Sequence, residues 1–305
     1  MSGVLWRGVL AGAILSGTPL LYATLGEVIV ERAGIVNLGL EGVLLVGAAS
    51  SFAVAAATGS AWLGVLVAAA AGVVLNLLFG ILVVHRRANQ LASGLVLMSF
   101  ATGVSALVGR PWVGALIKGL PKVPVPALRA IPWVSASTLF DWDPLVWLAV
   151  PAAVAVWWLL FRTRWGLGVR ATGESPIAVY ASGRQPGVLQ LEALGLGGLF
   201  GGIGGAHLAV GLTMTWAEGM SAGRGFICIA LVIFSRWHPL RAIAGALVFG
   251  GAEALQLQLQ ARGVQVSPFL LDMVPYLLTL AVLVAWGWLR RGAAPANLGR
   301  PVPRP

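Results

Sequence analysis

The run VLLVGAASSFAVAAATGSAWLGVLVAAAAGVVLNLLFGILVV, residues 43–84, contains no charged side chain. Its turn-forming break is Thr58-Gly59-Ser60, near the middle. A hydrocarbon core takes a helix of ~20 residues, so the run holds two such helices joined by a tight turn. Strands of a membrane barrel would alternate apolar and polar residues over ~10 positions, and this stretch does not. The whole chain is 58% hydrophobic and 10% charged, with mean hydropathy +0.90. Soluble domains carry about a quarter charged residues. The fold class is therefore an all-α, polytopic transmembrane helical bundle.

Outward from that run, spans are expected near 7–25, 38–57, 61–84, 92–108, 144–161, 189–213, 222–235, 240–259 and 268–289. That makes about nine, of which the short 222–235 segment reads as a half-helix. One membrane domain covers 1–291, with an external Pro-rich loop at 109–143 and a cytoplasmic loop at 164–186. The prolines of 109–143 favour extended or turn structure, and Trp112, Trp133 and Trp142 are expected at the bilayer surface. The tail 292–305 reads as disordered from its prolines and its place at the terminus. The apolar N-terminal segment leads straight into a polar motif without a clear cleavage site, so it reads as a permanent helix.

The spans sort the basic residues onto two sides. One side receives Arg32, Arg86, Arg87, Arg162, Arg164, Arg170, Arg184, Arg236, Arg241, Arg290, Arg291, Arg300 and Arg304. The other receives Arg7, Arg110, Lys118, Lys122, Arg129, Arg224 and Arg262. The positive-inside rule makes the first side cytoplasmic; the C-terminus is then inside and the N-terminus outside. The net charge of +10 is spread between spans, without the basic stripe and interleaved aromatics of a nucleic-acid surface. Cys228 is the one cysteine. It rules out an internal disulfide and reads as a small buried apolar residue.

Catalytic signatures are missing. There is no G-x-x-x-x-G-K-[ST] phosphate loop, so the chain is not expected to hydrolyse ATP. His85, His207 and His238 lack metal-ligand spacing, and there is no G-x-S-x-G elbow. The expectation is a non-enzyme with no cofactor or metal of its own.

What remains is a set of polar groups at membrane depth, where a charged side chain costs a few kcal/mol unless it faces protein or a watery cavity. The motif GEVIVERAGIVNLGLEGVLLVGA, 26–48, places Glu27, Glu31, Arg32, Asn37 and Glu41 at the mouth of an apolar bundle. Asn37 and Glu41, four apart, would share a helix face. Asn76 lies within span three, Asn89, Gln90 and Ser93 open span four, and Glu253, Gln256 and Gln260 share a face of span eight. Each of these has a packing alternative, a helix–helix hydrogen bond. Together, Asn37, Glu41, Asn76, Asn89, Gln90, Ser93, Glu253 and Gln256 are candidates to line a path for a small, polar, neutral solute. Glu41 and Glu253 leave a proton relay open. GLGGLFGGIGG, 195–205, carries glycines at spacing four, which suits close helix packing within one subunit or between two.

RWGLGVRATGESPIAVYASG, 164–183, is the second informative stretch. Glu174-Ser175-Pro176 gives a helix start, with Pro at an early position where its missing amide costs nothing. The short helix to about Ala181 would lie across the inner surface as a docking element.

These two stretches, with GRGFICIALVIFSRWHPLRAIAGALVFGGAEALQ at 223–256, resemble the permease subunits of ATP-binding-cassette importers. The family is the one that serves branched-chain amino acids, monosaccharides and nucleosides. Within it, the chain is most similar to the shorter permease of nucleoside uptake systems. The resemblance implies a coupling helix around Arg170, Gly173, Glu174, Ser175, Pro176 and Ala178 that docks on an ATPase subunit carrying ATP and Mg. It implies a second, longer permease in a heterodimer, an external solute-binding lipoprotein, and residence in a prokaryotic cell membrane. Two related halves are common in the family, and Asn37–Ala48 and Gly223–Phe234 are candidate equivalent openings.

Overall fold

The computed structural model describes residues 2–123, 141–261, 273–274, 277–278, 280–281, 284 and 294–300. The ordered elements are α1 (Ser2–Arg32), α2 (Leu40–Thr58), α3 (Ala61–Gly80), α4 (Gln90–Gly109), α5 (Pro144–Arg162), α6 (Arg164–Glu174), α7 (Pro176–Ala181), α8 (Pro186–Ala206), α9 (Arg224–Ser235) and α10 (Pro239–Ala261). Short π-helices, Ile81–His85 and His207–Thr213, extend α3 and α8. Among the described residues the only β-pairing is an isolated bridge between Val123 and Trp142.

Among the described residues, seven helices are long and apolar enough to cross a membrane: Trp6–Arg32, Leu40–Thr58, Ala61–His85, Gln90–Trp112, Pro144–Arg162, Pro186–Thr213 and Pro239–Ala261. α9, with 12 residues, rises about 18 Å, short of a ~30 Å core; it is the expected half-helix. Most of the expected ninth span, 268–289, and residues 124–140 of the expected 109–143 loop, Trp133 among them, lie outside the described residues.

Local chemistry sets the boundaries. Asp143 caps α5 by accepting from the amides of Leu145 (2.9 Å) and Val146 (3.3 Å). Asn89 caps α4 by accepting from Ala92 N at 3.0 Å. Ser175 caps α7 by accepting from Ala178 N at 3.3 Å, with Pro176 in the first helical position as the sequence requires.

α8 is the packing centre. Its glycines let α1, α2 and α3 approach backbone to backbone. A Cβ on Gly198 would collide with the Gly72 carbonyl of α3, and one on Gly47 would lie 2.7 Å from the Gly202 carbonyl. The glycine ridge therefore serves packing within one subunit.

The first sequence boundary needs correction. α1 does not stop near residue 25 but continues through Glu27 and Glu31 to Arg32, because both carboxylates are buried against protein partners. Asn37 also does not share a helix face with Glu41. Asn37 lies in a non-helical segment, 33–39, and its Oδ1 accepts from Gly39 N at 2.9 Å, which holds it outside α2. Residues 164–174, expected as loop, form α6. Trp142 is buried, its ring 5.1 Å from that of Trp147, rather than at the lipid surface. Arg224, assigned by sequence to an external loop, opens α9 and pairs with Glu253 inside the bundle.

Residues 294–300 correct the expectation of a disordered tail. Asn297 N donates to Gly173 O (2.8 Å) and Gly299 N to Gly34 O (3.1 Å), and Pro295 is buried. The end of the chain thus shares one end of the bundle with Gly34, α6 and the first turn of α4. Arg32 belongs to the same end: its Nε donates to Trp237 O at 3.0 Å, and its guanidinium lies 5.6 Å from the Phe161 ring. Arg170 meets that ring from 4.9 Å. The arginines assigned to the cytoplasmic side by charge therefore gather together in space.

Candidate functional site

Two non-helical segments among the described residues bear on the bundle: 33–39 is buried, and 214–223 is largely exposed but anchored by the buried Trp216 and Ser221. In hydrocarbon, irregular backbone survives only where protein satisfies its hydrogen bonds. The first, 33–39, folds back along the end of α1, so that Asn37 lies level with Glu27, about 7 Å above Arg32. Each polar group there has a partner from a different helix. Asn37 N donates to Glu27 Oε1 (3.2 Å), Val36 N to Gln90 Oε1 (2.9 Å), and Gln190 Nε2 to Ala33 O (3.1 Å). Asn37 Nδ2 donates to Asn76 Oδ1 at 3.1 Å, and Asn76 Nδ2 passes the chain on to Leu194 O at 3.1 Å. Asn37 and Asn76 are both fully buried, and Gln90 and Gln190 nearly so.

The second segment, 214–223, leads from the π extension of α8 back to the half-helix α9. Met214, Gly219, Ala222 and Gly223 all have positive φ, a run of left-handed residues that turns the chain inward. Glu41, in the first turn of α2, closes the junction. Its Oε1 accepts from Ser221 Oγ (2.6 Å) and Gly223 N (2.8 Å), and its Oε2 accepts from Gly225 N (2.6 Å). A carboxylate at this position meets the unpaired amides and the positive end of the α9 dipole. Glu253 of α10 reaches the same turn through its ion pair with Arg224. The two acids singled out by sequence thus converge on the start of the half-helix from opposite neighbours.

At the start of α5, His207 Nε2 donates to Asp143 Oδ2 at 3.1 Å. Burial would raise the Asp143 pKa, but the His207 contact and the two helix-cap amides outweigh it and hold the carboxyl below its usual range. At the Arg32 end of the bundle, Trp237 Nε1 donates to Glu31 Oε2 at 2.6 Å, which ties α1 to the turn after α9.

The candidate path residues therefore separate into groups. Asn37, Asn76 and Gln90 support segment 33–39, and Glu41 and Glu253 hold α9. Asn89 is exposed as a helix cap, Ser93 is half-buried on α4, and Gln256 is half-buried on α10. Among the coupling candidates, Arg170 turns inward, its Nε donating to Leu160 O at 3.0 Å. Gly173 packs on the Arg32 carbonyl, and Pro176 is buried. Glu174, Ser175 and Ala178 are exposed. Beside them stand Ile177 and Tyr180, 65% and 54% exposed, an apolar pair that was not singled out from sequence although the helix start beside them was. Gln190, Ser221 and Trp237 were also missed. Gln190 could have been found as a lone amide in an apolar span; Ser221 and Trp237 carry no such signal.

Seven membrane-length helices among the described residues, with the buried irregular segment 33–39 and the half-helix α9, define a polytopic membrane protein of transporter type. A family profile described as branched-chain amino acid transport system / permease component matches residues 9–283, and the chain belongs to that family, as an ABC-type permease of the plasma membrane. It is 36% identical to the putative glucose ABC transporter permease protein TsgC13 of Haloferax volcanii, over 90% of each chain. It is 30% identical to the guanosine ABC transporter permease protein NupQ of Bacillus subtilis, over 96% of this chain and 95% of the other. It is 33% identical to the nucleoside ABC transporter permease protein NupC of Lactococcus lactis, over 90% of each. No solved structure matches the chain significantly.

Proposed function

We propose that this chain forms one side of the transmembrane path of an importer for a small, polar, neutral solute, with a nucleoside as substrate. A separate ATPase subunit, carrying ATP and Mg, powers it. A second, longer permease completes a heterodimer, and an external lipoprotein delivers the solute. The observation that carries the reading is the junction at Glu41, where the start of α2, next to the buried segment 33–39, holds the end of segment 214–223 and the first turn of a half-helix. Alternating access needs such broken elements, since a few hydrogen bonds there can exchange without unfolding a span. Asn37, Asn76, Gln90 and Gln256 supply uncharged polarity near the path. α7 is the coupling helix, and Ile177, Ala178 and Tyr180 form the face that seats on the ATPase.

The guanosine and nucleoside relatives favour a nucleoside, and the glucose relative supports monosaccharide as the second reading. Competition for uptake among nucleosides, ribose, glucose and branched-chain amino acids separates them. Inhibition by nucleosides alone is expected, and inhibition by glucose alone moves the assignment to sugar. A proton relay through Glu41 and Glu253 gains no support, since both acids are engaged at the start of α9.

Power from outside the chain is tested by Ala178→Arg and Glu174→Lys, both at exposed positions. Each is expected to lower uptake roughly tenfold in proteoliposomes that hold the assembled transporter. Uptake at the parent rate with the ATPase bound would contradict the assignment of α7.

A further inference from the structure

Residues 294–300 lie on three elements at once. Asn297 N donates to Gly173 O (2.8 Å), at the end of α6. Ala296 N donates to Glu174 Oε2 (3.2 Å). Gly299 N donates to Gly34 O (3.1 Å), in the turn into segment 33–39. Gln90 Nε2, in the first turn of α4, donates to Arg300 O (3.4 Å). Pro295 is buried against Gly173, and Leu298 packs on the main core.

Segment 33–39 is already joined to α4, by Val36 N on Gln90 Oε1 (2.9 Å) and by the close packing of Gly94 on Leu38; the contact made without side chains is the one between segment 33–39 and the end of α6. Gly34 and Gly173 face each other, a Cβ on Gly34 falling 3.3 Å from the Gly173 Cα. Two glycines in contact have no side chains to interlock, so a sideways push on one is poorly passed to the other. The 294–300 turn supplies what the glycines lack, with backbone hydrogen bonds to both. Asn297 N and Gly299 N donate to the bundle and Leu298 N and Arg300 N to carbonyls within the turn, as expected of a seated segment and not of a loose end. Gln90 is doubly placed: its Oε1 holds the Val36 amide while its Nε2 holds the strap.

We infer that residues 294–300 are a coupling strap, tying the α6–α7 junction to the re-entrant segment 33–39 and to α4 so that displacement of α7 moves the gate. This rests on the reading of α7 as the ATPase-docking helix.

The test uses the complete transporter in proteoliposomes, with its partner permease, ATPase and solute receptor, and measures solute taken up per ATP hydrolysed. A chain lacking 294–305 is expected to assemble and hydrolyse ATP but to lose uptake per ATP roughly tenfold. Gly299→Val, at φ +75°, disfavours the strap turn without removing it and is expected to show a smaller loss in the same direction. It decides the matter if the truncated chain does not assemble. Unchanged or increased uptake per ATP in these variants overturns the strap. Ala178→Arg is run beside them: if it leaves uptake per ATP unaltered, the docking reading beneath the proposal falls instead, whatever the strap variants do.

Discussion

Glu41 is where residue chemistry bears most directly on the path. One carboxylate takes three hydrogen bonds, from Ser221 Oγ, Gly223 N and Gly225 N, and its charge faces the positive end of α9. Glu41→Gln keeps the shape but turns an amide NH2 toward donors. Hydrogen bonds to a charged group contribute about 1.5–3 kcal/mol, so a tenfold or greater loss of uptake is expected, with the protein still present in the membrane. Parent-like uptake in the reconstituted transporter would show that the junction does not matter. Sequence singled out Glu41 because a carboxylate inside a span needs a reason. It could not name the partner, since Ser221 is 180 positions away and carries no signal of its own. Asn37 was found for the right reason and placed on the wrong element: a side chain that accepts from the amide two residues on competes with helix, and here it wins.

Among the elements, α8 is held by close approach. Gly198 faces the Gly72 carbonyl, whereas Gly195 has only the Leu77 Cδ2 methyl nearby, at 3.9 Å. Gly198→Leu forces two helices apart, and overpacking of this kind costs about 1–3 kcal/mol or more. A clear fall in the unfolding temperature in detergent is expected for Gly198→Leu and little change for Gly195→Leu. Equal behaviour of the two would mean the ridge does not pack as described. The glycine spacing was legible in sequence, but its partner was not: subunit interface and internal packing read alike until α3 was seen against it. α1 illustrates the opposite limit. Its polar last turns looked like the end of a span, yet Glu27 and Glu31 stay helical because Asn37 N and Trp237 Nε1 reach them.

At the scale of the whole molecule, the spans place Ser60 and Arg86 at opposite ends of α3 and its π extension. The native Cys228 is buried, so introduced cysteines report on a silent background. Ser60→Cys is expected to react with an impermeant thiol reagent on intact cells, and Arg86→Cys only after permeabilisation. The reverse pattern would invert the topology. The grouping of basic residues was readable because the bilayer sorts arginine and lysine by a simple energetic bias, and Arg32, Arg170, Arg236 and Arg300 do meet at one end. Hydrophobic run length likewise determined, from the sequence alone, that the chain is a bundle of membrane helices, because water-free hydrocarbon leaves the backbone few choices. Tertiary structure alone decided which polar residues support irregular backbone, that 294–300 fold back onto Gly34 and Gly173, and that Glu41 and Glu253 share one helix end. Those outcomes depend on hydrogen-bond partners brought together from distant parts of the chain, and local pattern carries no record of them.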